Sequence, residues 1–139
     1  MAFPDVKWCL VCEDIRQEQR GLMSLLGFYG VTPYVEIHVR DFGRPLERIS
    51  FLMFAEGEGD GVKHRHAFQV IGPDNEIVLP ASESTSEPSP TGTGLRITFS
   101  ITAISPRLTK PGLYRVVFKV DDEEHFTSTF TVRQESRPT

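Results

Sequence analysis

From Tyr114 onward the chain alternates apolar and polar positions, with Tyr114, Val116, Phe118 and Val120 on one side and Arg115, Lys119 and Asp121 on the other. Successive side chains of a strand point to opposite faces, so this segment reads as a strand with one apolar face. After the acidic stretch Asp121 to Glu124, Phe126, Ser128, Phe130 and Val132 alternate against Thr127, Thr129 and Thr131. The pattern predicts an antiparallel hairpin. A hairpin is not stable by itself, so a second sheet must cover its apolar side.

The remaining segments read as that second layer and its connections. Trp8, Leu10 and Cys12 point one way along an N-terminal strand, and Cys9, Val11 and Ile15 the other. Gln17 to Gly21 is a polar turn ending in glycine. Leu22 to Val31 and Ile49 to Ala55 are apolar on both faces, which predicts either a strand covered twice or a contact surface. Tyr34 to Arg40 alternates Val35, Ile37 and Val39 against Glu36, His38 and Arg40. Glu56 to Gly61 reads as an acidic glycine turn, and Val62 to Ile71 as a strand closed by the turn residues Gly72, Pro73, Asp74 and Asn75. A short strand follows at Glu76 to Leu79. Residues 80–94, rich in Ser, Thr, Pro and Gly, offer little to bury and read as a flexible loop. Leu95, Ile97, Phe99 and Ile101 then line the inner face of another strand. About eight short strands with no helical period predict an antiparallel β-sandwich.

A chain of 139 residues with 39% hydrophobic content suits a single domain, residues 1–139. No basic segment precedes an apolar run at the N-terminus, and no apolar stretch approaches the roughly 20 residues of a membrane span, so a soluble cytoplasmic protein is expected. A net charge of -4 argues against nucleic acid, whose binding relies on clustered Lys and Arg. Two cysteines without an export signal are expected as reduced thiols.

Residues 12–30 carry the sequence Glu13, Asp14, Ile15, Arg16, Gln17, Glu18, then Gly21 and the strand Ser24, Leu25, Leu26, Gly27. In this the chain resembles an uncharacterised bacterial family with an acidic-Asp-Ile-Arg-x-Glu stretch, a turn glycine and a Ser-Leu-Leu-Gly strand. Leu22 stands where that family often has Lys. Gly72-Pro73-Asp74 and Pro111-Gly112-Leu113-Tyr114 fit the same layout. The resemblance implies an immunoglobulin-like β-sandwich and no assigned activity. Asp14 and Arg16 share a face of an extended segment, where a structural ion pair at a sheet edge is expected, with a recognition surface as the alternative.

Each further candidate for chemistry is weighed on its own residues. Cys9 and Cys12 spell Cys-x-x-Cys inside a strand, where an offset of three sends the thiols to opposite faces, so buried thiols are expected rather than a metal or redox site. His64 and His66 share a strand face and are the best metal hint, needing a third ligand from His38, His125, Glu56, Glu58 or Asp60. Without one, Lys63 to His66 reads as a solvated strand end. Glu56 to Gly61 spaces its acids like a calcium loop, but the twelfth position is Ala67. Asp41-Phe42-Gly43 matches a kinase tripeptide by spelling alone. No motif assembles a nucleophile with a base, so no enzyme and no cofactor are expected.

Expected, then, is a non-catalytic protein-interaction or scaffold domain, possible partners being another protein or a second copy of itself, with no membrane or nucleic acid. Tyr29 and Phe54 on the apolar strands, with Asp14 and Arg16, are the candidate contact residues. The alternative is a small-ligand or metal-binding domain using His64, His66 and the acidic turn 56–60. Tyr114, just after Pro111-Gly112, is expected to act as a corner residue whose hydroxyl bonds to backbone.

Overall fold

A computed structural model describes residues 5–42, 46–58, 62–85, 94–104, 106 and 108–135. Nine strands run through them in the order β1 (Asp5–Gln17), β2 (Met23–Val31), β3 (Glu36–Val39), β4 (Arg48–Glu58), β5 (Arg65–Ile71), β6 (Ile77–Thr85), β7 (Gly94–Ile104), β8 (Gly112–Val120) and β9 (Glu123–Gln134). A single 3-10 turn, Gln19–Gly21, joins β1 to β2 at the turn expected there. The strands form two sheets, one ordered β2-β1-β4-β7 and the other β3-β9-β8-β5-β6. The molecule is an all-β sandwich.

The alternation of the C-terminal hairpin is realised. Tyr114, Val116, Phe118 and Val120 of β8, with Phe130 and Val132 of β9, all enter the core. Asp121 (φ 50°) and Asp122 (φ 70°) form the two-residue turn, and Val120 pairs with Glu123 across it. Positive φ at both central residues is the twist that a tight hairpin requires, and Asp tolerates it better than most residues. From the facing sheet, Cys9, Val11, Ile49, Phe51, Met53 and Ala55 complete the core. Phe51 bridges the layers, its ring centroid 5.2 Å from Phe68 and 5.9 Å from Phe130.

The hydroxyl of Tyr114, a residue only 1% exposed, donates to the carbonyl oxygen of Lys110 at 2.7 Å. This is the expected corner. Together with β4 paired to β7 in one sheet and β5, β8 and β9 adjacent in the other, it marks an immunoglobulin-like sandwich, to which β1 and β2 add a hairpin.

Three features depart from the expectation. β3 pairs parallel with β9, from Glu36 against Thr131 to Val39 against Gln134, so the sandwich is not wholly antiparallel. The chain crosses from one sheet to the other between β2 and β3 and therefore arrives pointing the same way as β9. Glu56 to Glu58, expected as a turn, continues β4 and pairs with Arg96 to Gly94 of β7. Residues 80–85, expected as loop, extend β6 against β5, where Thr85 pairs with Arg65. In both places main-chain ladder bonds hold segments whose side chains have little to bury. Residues 86–93 and 59–61, the rest of the expected loop and turn, lie outside the described residues.

Candidate functional site

The histidine pair lies where β5 begins. His66 is 5% exposed and faces the core, its ring edge-on to Phe99 at 4.5 Å, so it is not the solvated strand end expected for Lys63 to His66. Burial, with His64 close by, holds its imidazole pKa below the ordinary value. His64 precedes the strand, and its Nδ1 hydrogen-bonds Asp121 Oδ2 at 2.6 Å. That bond, and a second from the Arg65 backbone N–H, hold the Asp121 carboxyl below the usual range. His64 thus meets the β8–β9 turn. Among the described residues no group of three His, Cys, Asp or Glu is placed to hold a metal ion. Asp60 lies outside those residues.

Cys9 and Cys12 are both free and buried. Cys9 belongs to the core between the sheets, where burial pushes its thiol up to about 12, whereas Cys12 stands outside that cluster. Its Sγ approaches the Asp14 carbonyl oxygen at 3.4 Å. The two thiols therefore lie on opposite sides of one strand, as their offset of three dictates.

Asp14 pairs with Arg48, Oδ2 to Nη1 at 3.0 Å, and not with Arg16 as expected. β1 and β4 are adjacent and antiparallel, so the first residue of β4 reaches Asp14 across the sheet. Asp14, Arg16 and Arg48 line a cleft of about 360 Å³ together with Glu13 and Glu47. Leu26, Tyr29 and Leu46 form its apolar wall. Tyr29 also packs on the core, and burial together with the Glu13 charge raises its hydroxyl pKa, so the group stays a hydrogen-bond donor. Arg48 Nε is buried and meets no hydrogen-bond acceptor among the described residues. Gly27 (φ 63°) gives Glu13 its place, since a Cβ there would sit 2.7 Å from the Glu13 Cγ and Cδ.

The outer face of the four-stranded sheet is the second notable surface. Opposed residues of neighbouring strands share a face. Leu10 opposes Val31 and Leu52, Cys12 opposes Phe28 and Ser50, and Trp8 opposes Phe54. The Trp8 and Phe54 rings stack with centroids 5.2 Å apart and planes inclined by 15°. Leu52 and Ser50 are buried on this face, and Ser50 Oγ shares a 2.8 Å hydrogen bond with Thr102 Oγ1. At the β2 edge, Phe28 is 59% exposed, with Leu26 and Val31 also open to solvent. Phe54 thus lies on an apolar outer face, whereas Tyr29, named beside it from sequence, turns inward. Sequence reasoning missed Arg48, Trp8 and Phe28. The unbroken apolar spelling of β2 was the available signal for Phe28, while Arg48 had none.

The fold and these surfaces define an immunoglobulin-like β-sandwich with a charged cleft and an apolar sheet face, both on its β1–β2 side. No known family's model matches the chain, and no curated protein sequence matches it. Among the described residues no helix is long and apolar enough to cross a membrane.

Proposed function

We propose that this chain is a non-catalytic protein-interaction module whose partner is a second copy of itself, bound through the outer face of the β2-β1-β4-β7 sheet. The observation that carries the reading is the composition of β2. Its nine residues, Met23 to Val31, include no charge and no proline, and Leu26, Phe28 and Val31 are left exposed. Elsewhere at the sheet edges, β3 is four residues long with exposed Glu36 and His38, and β6 carries the exposed Glu83. An uncharged apolar patch set against its own copy across a two-fold axis buries no unpaired charge, which favours self-association over a charged partner. Gly27 (φ 63°) and Gly30 (φ 142°) bend β2 away from regular ladder geometry. Contact is therefore through the side-chain face rather than by continuing the sheet.

Sedimentation velocity across a concentration series tests this. The expected result is a concentration-dependent dimer for the wild type and a monomer for Phe28→Asp, with the melting temperature of the variant within about 2 °C because Phe28 is largely solvated already. A wild type that stays monomeric at several hundred micromolar refutes the reading.

A further inference from the structure

We propose that the cleft between β1, β2 and the start of β4 binds the zwitterionic head of a free α-amino acid with an apolar side chain, at a site that borders the self-association face and shares Leu26 with it. The starting point is the state of Arg48. Asp14 takes Nη1 at 3.0 Å, so the opposite edge of the guanidinium, formed by Nε and Nη2, is the one left for a ligand. The Nε on that edge is buried and meets no acceptor among the described residues. A buried donor without an acceptor is costly, and the side edge of a guanidinium matches a carboxylate in a bidentate fork. Arg16 on the same wall adds a second positive charge.

An anion alone does not fit the rest of the lining. Glu13 and Glu47 bring carboxylates into the same cleft, while the Asp14 charge is already engaged by Arg48. After that internal pair is set aside, one cation, Arg16, and two anions, Glu13 and Glu47, remain beside Arg48, whose side chain is 40% exposed. A ligand that presents a carboxylate to Arg48 and Arg16 and an ammonium to Glu13 and Glu47 satisfies both signs; a simple carboxylate or a simple amine satisfies one and opposes the other. Leu26, Leu46 and Tyr29 supply the apolar side for an aliphatic chain. The volume, about 360 Å³, falls within the range of roughly 300–1,000 Å³ in which small-molecule sites lie.

L-leucine is the probe, with two truncated analogues as controls: 4-methylpentanoate, which lacks the ammonium, and 3-methylbutylamine, which lacks the carboxylate. Binding is read by amide chemical-shift titration of the full chain, which also places the ligand. L-leucine is expected to bind with a Kd at or below about 1 mM, shifting the amides of residues 13–16, 26–29 and 46–48. Each analogue is expected to bind at least tenfold more weakly. Arg48→Lys keeps the charge but loses the fork, and is expected to weaken L-leucine at least tenfold. Because that change also disturbs the pair with Asp14, Arg16→Ala, made at an exposed position, serves as the second variant and is expected to weaken L-leucine three- to tenfold without loss of folding. Glu47→Gln is expected to weaken L-leucine while leaving 4-methylpentanoate unchanged or tighter. No shift at 10 mM L-leucine overturns the proposal. So does equal binding of L-leucine and either analogue, or shifts centred away from these residues. Since Phe28→Asp leaves every lining residue in place, L-leucine binding in that variant separates a failure here from a failure of self-association.

Discussion

Replacing Gly27 by alanine tests how β2 and the cleft are built on one another. Gly27 adopts φ 63°, and its missing Cβ leaves the space that the Glu13 side chain fills. Alanine brings two separate costs. The left-handed backbone itself costs an L-residue about 1–2 kcal/mol. The new methyl group also stands 2.7 Å from the Glu13 Cγ and Cδ, so Glu13 must swing away. Glu13 is exposed and flexible, which places this second cost near the lower end for overpacking, about 1 kcal/mol. Gly21 supplies the control. It adopts φ 73°, yet a Cβ there meets nothing within 4 Å, so Gly21→Ala carries the backbone cost alone. Urea unfolding of Gly27→Ala, Gly21→Ala, Glu13→Ala and the Glu13→Ala/Gly27→Ala double variant separates the contributions. Gly27→Ala is expected to lose about 2–3 kcal/mol and Gly21→Ala about 1–2 kcal/mol, with about 1 kcal/mol of the Gly27 cost recovered when Glu13 is truncated. If Gly27→Ala costs the same with and without the Glu13 side chain, the packing of Glu13 over Gly27 is wrong.

Two further outcomes follow from the structure. Tyr114→Phe removes the 2.7 Å hydrogen bond to the Lys110 carbonyl while keeping the ring, and is expected to cost about 1–2 kcal/mol, lowering the melting temperature by about 3–6 °C; an unchanged melting curve would show that the corner contributes nothing. His66 has its pKa lowered by burial, so below its ordinary value of 6.5 the unfolded chain takes up a proton that the folded chain refuses. Stability is therefore expected to fall as pH drops from 7.5 through 6.5 and to level off below the folded pKa, by about 1.4 kcal/mol for each unit of lowering. His66→Leu is expected to flatten that part of the profile, and an identical slope in the variant would assign it to other groups.

Strands with a dry face were legible because alternation reports burial directly. Val116, Phe118, Phe130 and Val132 declare their layer, and Tyr114 declares the corner, within a few residues of sequence. Segments held by backbone bonds carry no such mark. Residues 80–85 spell a loop and yet pair with β5, since a ladder needs only N–H and C=O groups. Long-range pairings were equally silent. Asp14 and Arg16 are neighbours in sequence on one strand face, a local pairing that sequence suggests readily; the pairing that forms, Asp14 with Arg48, depends on β1 lying beside β4. His64 meets Asp121 for the same reason, because β5 and β8 are adjacent and their ends converge at the turn. The parallel run of β3 beside β9 depends on a crossover between sheets, which no pattern within either strand encodes.

The two edges of the four-stranded sheet show why its outer face calls for a role beyond folding. β7 and β2 occupy equivalent positions, each an outermost strand with one face toward solvent. On that outer face β7 presents the exposed polar residues Thr98, Ser100 and Thr102, with one exposed apolar residue, Ile104, at its end opposite Arg48. β2 presents Leu26, Phe28 and Val31, all exposed, on the same side. Folding makes no demand for this difference. A side chain that remains 59% exposed, as Phe28 does, yields only a fraction of the roughly 2 kcal/mol that full burial of an aromatic gives, and threonine suits a solvated strand as well. The stacked Trp8 and Phe54 rings continue the apolar surface inward from β2 to the central strands, so the patch is contiguous rather than scattered. In the proposed dimer, burying that surface against a like one would recover the part of the transfer free energy that folding leaves unused, and the polar Thr98, Ser100 and Thr102 of β7 would limit where the copy sits.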